Sequence, residues 1–319
     1  MMGLIVLLAA KLPAAPAPAG PLDGLIWLHD AEAGRLLAYR SNGSAARTLD
    51  LPTGVPFLGL TPDGRKILYA AKSGGRMTYH ARDLGADAPG TDLGVKHGPF
   101  DGWPIWSRDG KRFIRVRGED PKRIVGVRSM IMEYAVFDLA AKKLTPLGLP
   151  HDRRVVGWAL DDKGFVTVCV GRKDNGRIFT HRPGREPVPL ETGAVAVYPN
   201  RVVGAADGRT MLAPGYARVL TPGGWHHAVW TIDAATGWAV ELIHEPGHGY
   251  SDACWSPDGK RLCMLWCYAK DSVSGAGWDQ CRLTVAKADG TGRVTVCLRD
   301  KAKGRDPDGL RLVGWFAAR

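Results

Sequence analysis

Three histidines occupy similar places in the sequence and carry side chains that do chemistry near neutral pH. His97, His151 and His248 each precede a tryptophan by seven to nine residues. An imidazole binds divalent metal ions and also acts as a general acid or base. If the segments that carry them converge, the three side chains form a candidate site for a divalent metal ion. The alternative is three exposed histidines on separate loops, too far apart to meet.

An aspartate follows each of these histidines within four residues. The three aspartates are Asp101, Asp152 and Asp252. A carboxylate near an imidazole can assist it as a further metal ligand or in proton transfer. The histidines and aspartates together would therefore suit a metal-dependent or acid–base enzyme.

A further histidine pattern, His244-Glu245-Pro246-Gly247-His248, matches the His-Glu-x-x-His motif of zinc proteases. That motif works on a helix, where both imidazoles face one zinc ion and the glutamate holds the attacking water. Proline and glycine at the two central positions oppose helix formation. We interpret the match as a coincidence in a segment between two repeated units.

The cysteines are crowded into one part of the chain. Of the six, Cys169 stands alone and the others are Cys254, Cys263, Cys267, Cys281 and Cys297. A hairpin that pairs Ser256 with Arg261 would place Cys254 opposite Cys263, and Cys267 could face Cys281 on the next strand. These spacings match no zinc-binding pattern. They favour small buried core residues, and one disulfide is the alternative in an exported protein.

Other chemistries lack their motifs. The sequence contains no Gly-x-Ser-x-Gly of a serine hydrolase and no phosphate-binding Gly-x-x-x-x-Gly-Lys. Its net charge of +11 and isoelectric point near 9.5 raise the question of a nucleic-acid partner. The basic residues are instead spread over turns, with no aromatic residues interleaved. We therefore expect a solvated basic surface and no nucleic-acid binding.

The elements that must position these residues are set by a repeated turn. In Trp255-Ser256-Pro257-Asp258-Gly259, proline fixes φ for a turn, Asp258 can accept a hydrogen bond from the backbone two residues on, and Gly259 accepts positive φ. Apolar runs of strand length flank the turn, which predicts a hairpin. Trp106 and Asp109 hold the same places in an earlier copy, so both tryptophans are predicted to end core strands and both aspartates to form turns.

The spacing of the turns predicts the architecture. Their aspartates fall at positions 63, 109, 162, 207 and 258, so the repeats are 45 to 53 residues long. That is the length of one four-stranded propeller blade. Three short strands near residues 25–28, 36–39 and 47–51 lack a first strand, and residues 311–316 would supply it. We predict an all-β, six-bladed β-propeller whose last blade is closed by the C-terminal strand and three N-terminal strands.

The repeat Trp-Ser-Pro-Asp-Gly-Lys-Arg-Leu at 255–262 resembles that of TolB-type β-propellers, which are similar in architecture to WD-repeat propellers. The resemblance covers the chain from about residue 22. It implies a six-bladed ring, often exported in bacteria and often a binding platform. The separate N-terminal domain of TolB has no counterpart in this sequence. Some propeller lyases hold a metal through histidines at the channel mouth, so the three-histidine hypothesis has an analogue among propellers.

The first 19 residues are predicted to be a signal peptide or a flexible tail, and residues 20–319 a single β-propeller domain. The run at residues 3–10 is apolar but too short to span a bilayer, and small residues follow it up to Ala19. No basic residue precedes the run, which departs from the usual signal pattern. These features predict a periplasmic or secreted protein, or a cytoplasmic one if the segment is not a signal.

Two functions remain after these exclusions. The first is a non-catalytic, exported propeller that works as a monomer without a cofactor and binds a protein or glycan partner. The second is a propeller enzyme of the polysaccharide lyase or hydrolase type, with a metal or acid–base site at the channel mouth. Convergence of the three histidines would favour the second.

Overall fold

The structure is a computed structural model, and it describes most of the chain. The described residues are 24–51, 55–86, 88–99, 101–118, 132–170, 176–192, 196–199, 201–205, 207–218, 225–244, 248–268, 280–300 and 310–317. Within them the chain forms six antiparallel sheets. The segment at residues 1–19, predicted as a signal peptide or tail, lies outside the described residues. No helix in these ranges is long and apolar enough to cross a bilayer.

The two ends of the chain build one blade together, which we call the closing blade. Its strands are β1 (Leu25–Asp30), β2 (Arg35–Tyr39), β3 (Ala45–Asp50) and, from the C-terminus, β25 (Leu310–Phe316). β25 pairs antiparallel with β1, from Leu25 opposite Phe316 to Asp30 opposite Leu310. This confirms the predicted closure of the ring, with the C-terminal strand as the first strand of this sheet.

Blades one to three follow in order along the chain, each an antiparallel meander of four strands. Blade one contains β4 (Phe57–Leu60), β5 (Lys66–Ser73), β6 (Arg76–Asp83) and β7 (Thr91–Lys96). Blade two contains β8 (Ile105–Trp106), β9 (Arg112–Gly118), β10 (Met132–Asp138) and β11 (Lys143–Pro146). Blade three contains β12 (Arg153–Trp158), β13 (Phe165–Cys169), β14 (Ile178–His181) and β15 (Val188–Leu190).

Blades four and five complete the ring. Blade four contains β16 (Ala196–Pro199), β17 (Val203–Gly204), β18 (Thr210–Arg218), β19 (Trp225–Asp233) and β20 (Ala239–His244). Its first strand is split, since both β16 and β17 pair with β18. Blade five contains β21 (His248–Trp255), β22 (Arg261–Tyr268), β23 (Gln280–Lys287) and β24 (Val294–Asp300). The six-bladed prediction is confirmed.

The hydrophobic core consists of six clusters, and each one joins two neighbouring blades. A second strand is covered by a neighbouring blade on each face, so its apolar run is continuous: residues 262–267 of β22 are all buried. An outermost strand such as β11 is exposed throughout. Burial therefore falls from the inner strands to the rim.

The repeated turn has the same hydrogen bonds in different blades. In blade five the Ser256 hydroxyl donates to Asp258 Oδ1 at 2.7 Å and accepts from the Arg261 backbone N–H at 2.9 Å. Gly259 has φ of 70°, as the turn requires. In blade two Ser107 and Asp109 repeat the contact at 2.6 Å. The serine and aspartate thus fix the register of each hairpin locally.

Burial of the motif tryptophans differs from the sequence prediction. Trp106 and Trp255 end β8 and β21 as expected, but both are only half-buried against their clusters. Trp266, in the middle of β22, is completely buried instead. The equivalent Trp158, at the end of β12, is buried, so the covering of this position by the neighbouring blade differs from one blade to the next.

Candidate binding site at the channel mouth

The first strands of the blades line the centre of the ring. β25 contacts β21 and β4, and β12 contacts β8 and β17. Every first strand runs in the same direction through the ring, so the N-terminal ends of these strands meet at one mouth of the channel. Residues just before or at the start of a first strand are therefore the ones that can act together.

An aromatic and cationic cluster occupies this mouth, with residues from three blades. Trp103, just before β8, packs edge-on against Phe57 of β4, with ring centroids 5.5 Å apart. His29 of β1 lies 4.5 Å from Phe57 and 5.8 Å from Trp103. The guanidinium of Arg311, on β25, lies 5.3 Å from the centre of the Trp103 ring. Trp103 is half-buried and Arg311 exposed, so the cluster presents an indole and a charged fork to solvent.

His29 is neutral at physiological pH. Its pKa is lowered to about 4, mainly by burial and in addition by the charge of Arg311, while Asp30 opposes the shift. Its Nδ1 is buried and makes no hydrogen bond within the described part of the chain. An imidazole with this pKa is uncharged at pH 7, so it contributes packing here rather than charge.

The acidic residues near the mouth are held in ion pairs. Asp101 Oδ2 accepts hydrogen bonds from Arg115 Nε at 3.1 Å and from Arg115 Nη2 at 2.9 Å. The Asp101 side chain is completely buried. Asp252, also buried, pairs with Arg201 at 2.6 Å. Burial raises the pKa of Asp252, and Arg201 opposes that shift. In both cases the guanidinium fixes the position of the carboxylate.

The third aspartate has a different environment. Asp152 is exposed, lies 3.8 Å from Arg153 Nε and accepts a weak hydrogen bond from the Cys169 thiol at 3.5 Å. Asp101 and Asp152 thus precede two first strands and Asp252 lies within a third, and the three make separate contacts. Each is oriented by a partner of its own.

The predicted histidines also have separate environments where they are described. His97 is half-buried and packs edge-on against Tyr79, with ring centroids 5.3 Å apart. Burial lowers its pKa, while Asp101 opposes the shift. His151 is exposed. His248 begins β21, and its side chain lies outside the described residues.

The three-histidine metal site therefore stays a prediction. Across the described ranges, no group of three histidine, cysteine, aspartate or glutamate side chains could hold a metal ion. The side chain of His248 is not among those residues. The His-Glu-x-x-His match does not lie on one helix, because His244 ends β20 and His248 begins β21.

The cysteine register agrees with the sequence prediction. Cys254 lies opposite Cys263, with sulfur atoms 3.4 Å apart, and Cys267 lies opposite Cys281, with sulfur atoms 2.8 Å apart. All four side chains are buried thiols in the core of blade five. Burial raises the pKa of Cys263, which keeps that thiol protonated. The side chain of Cys297 lies outside the described residues.

Sequence reasoning missed the residues that form the mouth cluster. Trp103, Phe57, His29 and Arg311 share no spacing, and three of them come from different repeats. Arg115 and Arg201 were also missed, because no motif links either residue to the aspartate with which it pairs. A possible signal was the position of Trp103, three residues before the repeated Trp106.

The comparisons with known proteins bear on the fold. No protein-family model matches the sequence, and no curated protein matches it. Among solved structures, TolB from Acinetobacter baumannii is similar with a TM-score of 0.60 and 19% identity over 86% of this chain and 64% of that one. This chain therefore spans less than two thirds of that protein's length.

Two further structures are similar over most of the chain. A putative TolB from Agrobacterium tumefaciens has a TM-score of 0.55 and 16% identity, over 88% of this chain and 91% of that one. An oligogalacturonate lyase from Vibrio parahaemolyticus has a TM-score of 0.54 and 12% identity, over 88% and 76%. At such identities the likeness concerns the fold. The chain is an all-β, six-bladed β-propeller with the fold of the TolB proteins.

Proposed function

We propose that this chain is a non-catalytic, exported binding platform whose channel mouth holds an acidic protein segment or an acidic glycan. The carrying observation is the Trp103 indole with the Arg311 guanidinium against its face. A half-exposed indole gives a flat apolar surface for a sugar ring or an apolar side chain, and an arginine fork binds carboxylates through paired hydrogen bonds. Tryptophan and arginine are also the residues that most often dominate binding energy.

The charged groups of the mouth favour the binding of an acidic partner. Asp101 and Asp252 are both held by arginines, and the imidazole of His29 is neutral at pH 7. The whole chain carries a net charge of +11, which attracts acidic partners over distances of about 10 Å. We propose that the protein acts as a monomer, and that the apolar run at residues 3–10 directs its export.

The first prediction concerns Trp103. Titration calorimetry measures binding of two ligands, an oligogalacturonate of defined length and an acidic peptide, and the parent protein should bind one of them. Trp103→Ala should weaken that binding by about 30-fold or more, as for a central aromatic contact. Arg311→Ala should weaken binding of the acidic ligand but leave binding of a neutral oligosaccharide unchanged.

Trp238→Ala is the matched control. Trp238 is 62% exposed at the rim of blade four and has no place in the mouth cluster. An equal loss with Trp238→Ala, or parental binding with both mouth variants, would contradict the proposal. Formation of an unsaturated product from the oligogalacturonate would instead favour a lyase.

A propeller enzyme with a metal site is the second candidate. Its supporting observation is that His97 Nε2 is buried beside the mouth without a hydrogen bond in the described part of the chain. Metal analysis of the purified protein, with a His97→Ala, His248→Ala double variant alongside, tests it. A stoichiometric divalent metal that the variant loses would establish the metal site. We expect the binding platform to carry no such metal and the variant to melt as the parent does.

A further inference from the structure

A cleft separates blades one and two on the flank of the ring. Its volume is about 360 Å³, and it is bounded by β7 on one side and by β9, β10 and β11 on the other. This volume is at the small end for ligand sites, which favours a ligand smaller than a drug molecule. Val95 and Phe137, both buried, form an apolar floor, and Leu144 at the rim is 38% exposed.

The charged residues that line the cleft are all cationic. Lys96, Arg115 and Lys142 all line it, and none of its lining residues is acidic. Arg115 is balanced by Asp101. Within the described ranges, neither Lys96 nor Lys142 lies within 4.0 Å of a carboxylate. Lys96 and Lys142 are both exposed and therefore supply positive charge at the rim of the cleft, beside an apolar floor.

The backbone at Lys142 gives an independent indication that its side chain has a role. Lys142 has φ of 49°, in the left-handed region that disfavours every residue with a Cβ atom. The only other such residue among those described is Asp162, with φ of 54°. Its carboxylate accepts from the backbone N–H groups of Arg108 and Asp109 at 3.0 and 3.1 Å, which explains its position.

The corresponding turn of blade four contains glycine where blade two contains Lys142. In blade two, Asp138 Oδ1 accepts from the two backbone N–H groups that follow Leu139. In blade four, Asp233 accepts from the equivalent groups, and Gly237 takes the left-handed position with φ of 79°. Glycine would adopt the left-handed conformation of the blade-two turn with less strain. Lysine at position 142 therefore lowers the stability of the turn, but it places a cationic residue at the cleft.

We propose that the cleft between blades one and two binds a small amphipathic anion, a carboxylate or a similar oxyanion with a short apolar chain. The ammonium groups of Lys96 and Lys142 bind the head group, and the apolar chain packs on Val95, Phe137 and Leu144. The lining of this site shares no residue with the aromatic cluster of the channel mouth, and the proposal goes beyond the function proposed for that cluster.

The test uses calorimetric titration of the whole protein with sodium octanoate. Sodium acetate serves as the anion without a chain, and 1-octanol as the chain without a charge. Octanoate should bind with a dissociation constant below about 1 mM, and the other two at least about tenfold more weakly. Equal binding of octanol and octanoate, or no heat from octanoate at about 10 mM, overturns the proposal.

Lys142→Gly separates ligand binding from stability. This variant should bind octanoate about tenfold more weakly or worse, and yet unfold at a higher temperature than the parent because glycine relaxes the turn. Adding Lys96→Ala should abolish binding. Lys163→Ala removes an exposed lysine from a blade-three turn and should leave octanoate binding unchanged.

Two outcomes with this variant contradict the proposal. One is parental affinity of Lys142→Gly for octanoate, and the other is a lower melting temperature. Trp103→Ala should not affect octanoate binding, so a failure at the channel mouth and a failure at this cleft are distinguishable.

Discussion

Lowering the pH from about 7.5 to about 4.5 is expected to remove several kcal/mol from the free energy of unfolding, with two buried histidines as the main cause. Burial lowers the pKa of His29 and of His181 from 6.5 to about 4 in each case. For His29 the charge of Arg311 adds to the effect, and for His181 the charge of Arg153 does. Both side chains are 8% exposed, so solvent screens them little.

The sign follows from proton uptake. Between pH 6.5 and about 4 the unfolded chain holds a proton on each imidazole, whereas the folded chain does not. The stabilisation is therefore complete above pH 6.5 and is lost as the pH falls through this window. Each histidine contributes about 2 to 3 kcal/mol. Urea unfolding at several pH values measures the loss.

The turn aspartates act in a lower window. The pKa of Asp233 is held to about 2 by the backbone N–H of Thr236 and by Arg209, and hydrogen bonds from Thr210 and from Arg209 lower that of Asp207. A carboxyl group with a lowered pKa stabilises the fold above about pH 4, and this stabilisation is lost only as the pH falls below that value. Loss of stability above pH 4.5 is thus assigned to the histidines.

The variant His181→Gln separates the effect of the buried histidines from that of the turn aspartates. His181 stacks on Phe165 at 4.9 Å and shares a hydrogen bond of 2.8 Å with the Thr167 hydroxyl, which the amide of glutamine can replace. The variant should lose less stability than the parent between pH 7.5 and 4.5, by about 2 kcal/mol or more. His151→Gln changes an exposed side chain and should follow the parent profile. An unfolding midpoint that is the same at both pH values would show that these imidazoles titrate normally.

Replacing Trp266 by alanine should destabilise the propeller by about 3 to 5 kcal/mol. Trp266 is completely buried in the cluster between blades four and five, where it packs with Leu212, Val229, Leu262 and Met264. Removing an indole there leaves a cavity that two rigid sheets cannot fill. Since a domain is stable by about 5 to 15 kcal/mol, the variant should still fold. Urea unfolding with an unchanged slope measures the loss.

Trp255→Ala is the matched comparison in the same hairpin. Trp255 is half-buried at the edge of the same cluster, so its removal should cost about 1 to 2 kcal/mol. A cost for Trp255→Ala equal to that for Trp266→Ala would mean that the first-strand tryptophan is a core residue, as the sequence suggested.

The repeated turn shows what local chemistry determines. Ser256, Asp258 and Gly259 make their contacts within six residues, so their types and spacing are sufficient to predict a hairpin and its register. That register in turn places Cys254 opposite Cys263. The distance between successive turns then gives the number of strands per blade and the number of blades.

Contacts between blades are determined differently. The apolar runs of blade five predict buried strands. Whether the neighbouring blade extends far enough to cover a given tryptophan is a separate matter, and it covers Trp266 completely but Trp255 only in part. Lys142 at the cleft is a similar case. Its turn could be predicted from Asp138, but the pocket arises only because β7 of the preceding blade lies opposite.

The sequence by itself therefore determined the fold class, the six blades and the register of each motif hairpin, because each depends on hydrogen bonds and apolar patterns within a repeat. It also indicated the closure by β25, because the N-terminal strands lack a first strand and the C-terminal strand has no hairpin partner after it. The tertiary structure alone decided the candidate sites. Trp103, Phe57 and Arg311 meet only when the ring closes and brings three blades together at one mouth. Residues separated by a whole ring share no sequence spacing, since their distance is fixed by the closure of the sheets and not by the chain between them.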